Sequence, residues 1–180
     1  TNSSCYVYSG IASVSIQTTV CTPVTTSEIG NAYIDMFRLK ENTLIHLMKN
    51  SAYQYSGYSD YTEEAITVNA GTKLQFLARA HQINNQYTPQ NVSIWIDING
   101  DNDFTDAGEL LFQSSGFQTS ATISGEIVLP ADVLIGLHRL RLRSRIAPET
   151  AAHPCADYES GETEDYLLNI EALPINEASD

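Results

Sequence analysis

The stretch 91–112, NVSIWIDINGDNDFTDAGELLF, constrains the fold of this chain more than any other segment. Its first half alternates as a strand does: Val92, Ile94, Ile96 and Ile98 point one way, and Ser93, Trp95 and Asp97 point the other. Five carboxylates then fall within residues 97–109. Like charges 4 Å apart repel by about 1 kcal/mol in water and about 4 kcal/mol near a protein surface. The segment therefore predicts a strand that leads into an acidic loop with a bound cation.

The donor atoms of this loop favour calcium. The candidate ligands are Asp97, Asn99, Asp101, Asp103, Asp106 and Glu109. Calcium takes about 6–8 oxygen ligands in irregular geometry, whereas zinc and copper prefer His and Cys, which the loop lacks. The D-x-N-x-D-x-D opening matches the first four ligand positions of an EF-hand-like loop. However, Asn102 replaces the Gly, Glu109 comes one place late, and a strand enters the loop. We predict one calcium ion in a loop that is not an EF-hand; the alternative is a solvated acidic turn.

The size and charge of the chain limit its class and its partners. A chain of 180 residues with 42% hydrophobic residues is long enough for one domain with a real core. Its formal net charge of −13 argues against nucleic acid and anionic membranes as partners. No apolar run has the length of a membrane span, so we expect no membrane insertion.

Most of the chain reads as short strands. We predict strands at 65–69, 73–80, 91–97, 110–113, 121–129, 137–146 and 165–171, separated by turns that contain Gly or Pro. Residues 32–39 alternate weakly, and residues 42–50 fit a strand or a helix. Residues 51–62 read as a tyrosine-rich loop. This pattern predicts an all-β fold, an antiparallel β-sandwich or jelly roll.

Two groups of side chains are candidates for a ligand surface. The first is the tyrosine set Tyr53, Tyr55, Tyr58 and Tyr61, which either stacks on sugar rings or packs at the edge of the core. The second is the arginine strip Arg139, Arg141, Arg143 and Arg145, which alternation places on one face of a strand. The strip either binds an acidic glycan, for which Arg141 and Arg143 are the candidates, or pairs with Glu162, Glu164 and Asp165. We favour packing for the tyrosines and pairing for the arginines.

No known catalytic motif occurs in the sequence. It contains no G-x-S-x-G and no H-E-x-x-H, and His46, His81, His138 and His153 are scattered singly. We therefore expect a protein that binds rather than catalyses. The alternatives are a hydrolase or lyase acting on an acidic polysaccharide, and a spacer that only presents a neighbouring domain.

The three cysteines, Cys5, Cys21 and Cys155, lack the spacing of a zinc site. In an oxidising compartment they form one disulfide and leave one odd cysteine. Three pairings are open.

The segment GETEDYLLNI at 161–170 resembles the signature of the GEVED domain family. Five further pieces resemble that family in order: Cys21–Pro23 with Tyr33-Ile34, SGYSDYT at 56–62, WIDINGDNDFTDAGE at 95–109, the run of Pro130, Gly136 and Arg139–Arg145, and Pro154-Cys155. The resemblance covers about residues 21–172. Thr163 replaces the Val of the signature, and Asn102 replaces a usual Gly, so Asn102 must make its turn with a positive φ.

The resemblance implies a non-catalytic β-sandwich module of a larger secreted or cell-surface bacterial protein. Its expected partners are a polysaccharide or an extracellular protein surface, together with neighbouring domains of the same parent chain. It also implies a Cys21–Cys155 disulfide, because both cysteines lie in family-like segments, and it leaves Cys5 as the odd one. We expect a lead-in or first strand at 1–20, the domain at 21–173 and a linker at 174–180.

Overall fold

The computed structural model describes residues 19–26, 32–82, 89–114 and 122–173. The regular elements in these ranges are nine β-strands. They are β1 (Ala32–Glu41), β2 (Leu44–Asn50), β3 (Tyr58–Asn69), β4 (Lys73–Gln82), β5 (Gln90–Ile96), β6 (Leu110–Gln113), β7 (Thr122–Val128), β8 (Gly136–Ile146) and β9 (Thr163–Glu171). In the same ranges we find no helix that could cross a bilayer. Of the expected lead-in at 1–20, only residues 19 and 20 are described. The expected linker at 174–180 lies outside the described residues.

The strands form two sheets, as expected for a β-sandwich. One has four strands in the order β2-β1-β4-β7, and the other has five in the order β3-β9-β8-β5-β6. All pairs are antiparallel except β3 and β9, which run parallel. Side chains from both sheets share one buried cluster, in which the rings of Phe37 and Tyr166 lie 5.2 Å apart. The core therefore lies between the sheets.

Alternation along the strands divides core from surface. On β4, Leu74, Phe76, Ala78 and Ala80 are buried as predicted. The residues between them point outward, away from the five-stranded sheet. A side-chain period of two produces this division wherever one face of a sheet is covered.

Strand pairing decides one segment that the sequence left open and corrects one that the sequence predicted as loop. Residues 44–50, which fitted strand or helix, form the edge strand β2 because they pair with β1. The predicted loop at 51–62 is wrong for its second half, since residues 58–62 belong to β3. Parallel pairing with β9 extends β3 past the register shift between Tyr61 and Ala65. β1 is the neighbouring strand of a hairpin and β9 lies about 100 residues further along the chain, and in both cases strand pairing decides what local periodicity does not.

β5 is buried on both of its faces. Val92, Ile94 and Ile96 point into the core between the sheets, whereas Trp95 belongs to a second buried cluster with Phe104, Ala151 and Tyr158. The last three residues come from the loops 97–109 and 147–162. These loops therefore cover the outer face of the five-stranded sheet, and they place the candidate site there.

Candidate functional site

The acidic loop, residues 97–109, begins where β5 ends, and Asp97 organises its first turn. Asp97 is buried, and its carboxylate accepts the backbone N–H groups of Gly100 at 2.7 Å, Asp101 at 3.2 Å and Asn102 at 3.0 Å. Asn102 has a φ of 69°, which is the left-handed conformation expected of an Asn in place of Gly. The Asp97 side chain thus fixes the backbone of the turn.

Three carboxylates converge in the second half of this turn. Oxygens of Asp101, Asp103 and Asp106, here called the acid cluster, lie within 4.8 Å of one another. The Asn99 amide nitrogen donates to Asp106 Oδ2 at 2.6 Å and to Asp101 Oδ2 at 3.2 Å. Within the described ranges, no Lys, Arg or His forms a salt bridge with the acid cluster. Such a set of uncompensated oxygens suits a hard cation.

Glu109 closes the acidic loop from its other end. Its carboxylate is buried and accepts the backbone N–H groups of Ile98 at 3.1 Å and Asp106 at 2.9 Å. Burial, followed by the charges of Asp97 and Asp106, raises the pKa of this carboxyl to about 7 in spite of those two hydrogen bonds. Glu109 therefore ties the two ends of the loop together.

The six candidate ligands thus separate into two groups. The structure brings the acid cluster together with Asn99. It places Asp97 and Glu109 in the same loop, where backbone N–H groups hold their carboxylates. The chemistry of the whole set, oxygen donors alone, fits calcium.

Arg141 of the arginine strip is fully buried and forms a two-pronged ion pair with Asp165. Its Nε donates to Asp165 Oδ1 and its Nη2 to Asp165 Oδ2, both at 2.7 Å. The same guanidinium donates to the backbone carbonyls of Cys21 at 2.7 Å and Pro154 at 2.9 Å. Arg141 therefore fastens two covering segments to the sheet and presents no charge to solvent.

Arg143 is held in the same way. It is buried, and it donates to Thr163 Oγ1 at 2.8 Å, to the Ala156 carbonyl at 2.7 Å and to the His153 carbonyl. Its guanidinium carbon lies 4.0 Å from the ring centre of Tyr158. Loops thus cover Arg141 and Arg143, and their backbone carbonyls accept the hydrogen bonds of both guanidinium groups. The two side chains pack inside the protein and do not form an exposed ligand surface.

The segment 161–166, GETEDY, supplies two of these partners, Thr163 and Asp165. Gly161 has a φ of 134°, and a Cβ there would lie 2.1 Å from the Ser144 carbonyl oxygen. The backbone at residue 161 can therefore lie this close to the backbone of β8 only if residue 161 is Gly. Glu162 reaches across to the other sheet, where its carboxylate accepts the Ile34 N–H at 2.7 Å. Asp165 pairs with Arg139 and Arg141 of the arginine strip, and it also accepts the Tyr58 hydroxyl at 2.8 Å.

A comparison with known protein families matches the part of the chain that contains this motif. Residues 91–169 match the GEVED domain family model. The expected resemblance is thereby confirmed over this GEVED segment, which contains the acidic loop, the arginine strip and the GETEDY motif. GEVED domains are small accessory modules. A comparison with curated proteins found no match to the chain.

A disulfide joins the GEVED segment to the residues before it. Cys155 within the segment is bonded to Cys21, and the two Cα atoms are 5.6 Å apart. The bond lies beside the Arg141 guanidinium, whose Nη1 is 2.8 Å from Cys21 Sγ. This is the pair that the resemblance implied. Cys5 lies outside the described residues.

The tyrosine set precedes the GEVED segment and does not form one platform. Tyr58 uses its hydroxyl on Asp165, and Tyr61 packs on Tyr166 at 5.5 Å with Lys49 Nζ 3.9 Å above its ring. Tyr55 is 74% exposed, and Tyr53 is half-buried. The four rings therefore divide between packing roles and the surface.

Sequence reasoning missed a second aromatic group, on the outer face of the four-stranded sheet. The Tyr33 and His81 rings are stacked at 5.9 Å, and Tyr53 meets Tyr33 edge to face at 6.0 Å. Tyr33 and His81 are opposite each other in the pairing of β1 and β4. The signal was present in the alternation of β1, where Tyr33 stands between the buried residues Ala32 and Ile34.

The buried acids Glu162 and Glu164 of the GEVED segment predict a pH dependence of stability. Burial, above all, raises the pKa of both carboxyls, and the charge of Glu164 raises that of Glu162 further. In the unfolded chain, the pKa of a glutamate carboxyl is near 4.5. Above that pH the folded state holds more protons than the unfolded state, so the free energy of unfolding falls as pH rises. We expect the Glu164→Gln variant to show a shallower fall between about pH 5 and pH 8, measured by urea denaturation.

The exposed acid Glu63 provides the matched control for this experiment. Glu63→Gln removes the same charge from the surface of β3, so its pH profile is expected to follow that of the wild type. The slopes are compared rather than the absolute stabilities, because a buried amide has its own cost. Identical slopes for wild type and Glu164→Gln contradict the prediction.

Proposed function

We propose that this chain is a non-catalytic binding module that one calcium ion stabilises. The observation that carries the proposal is the acid cluster, whose carboxylates converge without a neutralising cation among the described residues. The acid cluster and Asn99 would hold the ion, with Asp97 or Glu109 completing the shell alongside backbone carbonyls or water. A bound ion would neutralise the repulsion and make the loop rigid.

The match to an accessory family supports binding rather than catalysis. A binding module needs a rigid scaffold with convergent polar and aromatic groups, and it needs no activated nucleophile or base. The buried acids and arginines of the GEVED segment serve as fasteners between elements. We propose that the parent protein is secreted or displayed on a bacterial cell, and that the module recognises a polysaccharide or a protein surface there. The disulfide supports an oxidising compartment.

Calcium is expected to raise the stability of the folded protein. At a free concentration about a hundredfold above Kd, a ligand that binds only the folded state adds about 2.7 kcal/mol to the free energy of unfolding. The measurement is urea denaturation in calcium, in magnesium and in chelator. We expect the Asp103→Asn and Asp106→Asn variants to lose most of the calcium-dependent increase.

Asp132→Asn is the control, because Asp132 is an exposed acid in the turn before β8 and lies outside the acidic loop. Its calcium response is expected to equal that of the wild type. Equal unfolding midpoints for the wild type in calcium and in chelator would refute the calcium site.

Binding itself is tested on an array of neutral and acidic glycans, with and without chelator. We expect retention on a subset of glycans that weakens in chelator. Release of reducing ends or unsaturated products, which persists after repurification and disappears when one carboxylate is replaced, would make the protein an enzyme instead.

A further inference from the structure

The basic residues of this acidic chain have unequal partners. The chain has nine Lys and Arg against 22 Asp and Glu. Five of the nine form ion pairs: Lys73, Arg79, Arg139, Arg141 and Arg145. Arg143 is buried against carbonyls, and Lys49 lies on the Tyr61 ring. Within the described ranges, Arg38 and Lys40 form no salt bridge. These two cations are uncompensated in a protein with excess acid.

Both cations point outward from β1 on the four-stranded sheet. They alternate with Phe37 and Leu39, which are fully buried in the core. They line a groove of about 320 Å³ on the outer face of the sheet, here called the cation groove. Its other lining residues include Gln75, Leu77, Ser124 and Glu126. The Cα atoms of Arg38 and Lys40 therefore lie about 7 Å apart along one strand, at a rise of about 3.3 Å per residue.

The Arg38 side chain in the cation groove lacks a hydrogen-bond acceptor for one of its nitrogens. The Nε of Arg38 is buried from solvent and has no hydrogen-bond acceptor. A buried donor without a partner costs about 1–3 kcal/mol. The acid in the groove, Glu126, is already paired with Lys73 at 3.4 Å. An anionic group from outside the chain would neutralise the charges of Arg38 and Lys40.

The same face carries the aromatic group of Tyr33, His81 and Tyr53. Tyr33 is opposite His81, and Arg38 is opposite Leu77. His81 and Leu77 are four residues apart on β4, which is about 13 Å. Flat aromatic rings with polar edges offer stacking surfaces for sugar rings. A ligand that reaches both the rings and the cations is a polymer of several sugar units rather than a single small anion.

We propose that the outer face of the four-stranded sheet binds an anionic polysaccharide whose carboxylate or sulfate groups lie against Arg38 and Lys40. This assignment rests on the proposed binding function, and it names the surface and the ligand class. The net negative charge of the chain does not prevent it, because salt screens charges beyond about 8–10 Å at physiological ionic strength. The aromatic rings favour a polysaccharide over an acidic polypeptide.

Titration calorimetry tests the assignment. The probes are hyaluronate, its methyl-esterified form without the charge, and polyglutamate. We expect wild-type protein in calcium to bind hyaluronate at least about tenfold more tightly than the ester or polyglutamate, with affinity falling as salt increases. Arg38→Gln and Lys40→Gln are each expected to weaken hyaluronate binding about tenfold, as befits the loss of one charge-assisted contact.

Lys49→Gln is the matched control. It removes one positive charge from the same sheet, but from the groove between β2 and β3, so we expect affinity within about twofold of wild type. Unchanged melting temperatures for the three variants exclude loss of folding as the cause. If Lys49→Gln lost as much affinity for hyaluronate as Arg38→Gln and Lys40→Gln, net charge alone would explain the loss. That result would overturn the assignment.

The remaining outcomes separate this assignment from the proposed function. If Arg38→Gln and Lys40→Gln retain full affinity, or if the ester binds as well as the acid, the surface is wrong while binding stands. If polyglutamate binds best and the variants abolish it, the partner is an acidic polypeptide. If the wild type binds no polymer, neither here nor on the glycan array, both the assignment and the proposed function fail.

Discussion

Replacing Asp165 with alanine is expected to lower the free energy of unfolding by about 3–5 kcal/mol, which is the cost of leaving one partner of a buried ion pair uncompensated. Arg141 and Asp165 both have fully buried side chains. The carbonyls of Cys21 and Pro154 would still accept from the guanidinium, but neither carries a charge to balance it. Tyr58 would lose its acceptor as well. Urea denaturation followed by circular dichroism measures the effect.

Glu149→Ala is the comparison for a surface pair. Glu149 is 65% exposed, and its carboxylate is 3.6 Å from Arg145, so its removal is expected to cost less than about 1 kcal/mol. A double variant, Arg141→Met with Asp165→Leu, is expected to be more stable than Asp165→Ala alone, because the buried guanidinium of Arg141 is no longer left without its carboxylate. An Asp165→Ala protein as stable as the wild type would mean that the guanidinium finds solvent or another acid.

Removing the Cys21–Cys155 disulfide is expected to have a similarly large effect. The bond closes a loop with a sequence separation of 134 residues. In the chain-entropy model such a loop contributes about 4–5 kcal/mol, because the crosslink restricts the unfolded chain. The double variant Cys21→Ala/Cys155→Ala is expected to unfold at correspondingly lower urea. Adding reductant should destabilise the wild type to the same level and leave the double variant unchanged.

Cys5→Ala serves as the control for the disulfide, since the resemblance leaves Cys5 without a partner. We expect its stability to equal that of the wild type, with the same response to reductant. Non-reducing peptide mapping gives an independent readout. A peptide that contains Cys5 bonded to either Cys21 or Cys155 would contradict the pairing.

Alternation in the sequence was sufficient to predict the β-sandwich and most of its strands. It could not decide residues 44–50, because Leu44, Leu47 and Met48 fit both periods and only pairing with β1 selects the strand. It also read residues 58–62 as loop, since a parallel partner 105 residues away in the chain leaves no local mark. Tertiary pairing overrides local preference at the edges of sheets.

Alternation also placed the arginine strip on one face, but it could not predict what covers that face. The covering atoms come from around Cys21 and from residues 153–156, which no period in β8 foretells. The choice of acidic partner followed from register, since Arg141 is opposite Asp165 whereas Glu162 and Glu164 act elsewhere. The acid cluster could be found from sequence because all its members lie in one short loop. The cation groove could not, because it needs three neighbouring strands.

The place of β9 in the five-stranded sheet affects how the chain can fold as it is synthesised. β9 lies between β3 and β8, and it is the strand that pairs with β3 in that sheet. A chain that has emerged only as far as β8 therefore holds β3 without a partner in the sheet, and open strand edges are prone to pair with other chains. β3 pairs with β9 from Tyr58 opposite Thr163 onward. The five-stranded sheet can therefore be completed only after the GETEDY motif has left the ribosome.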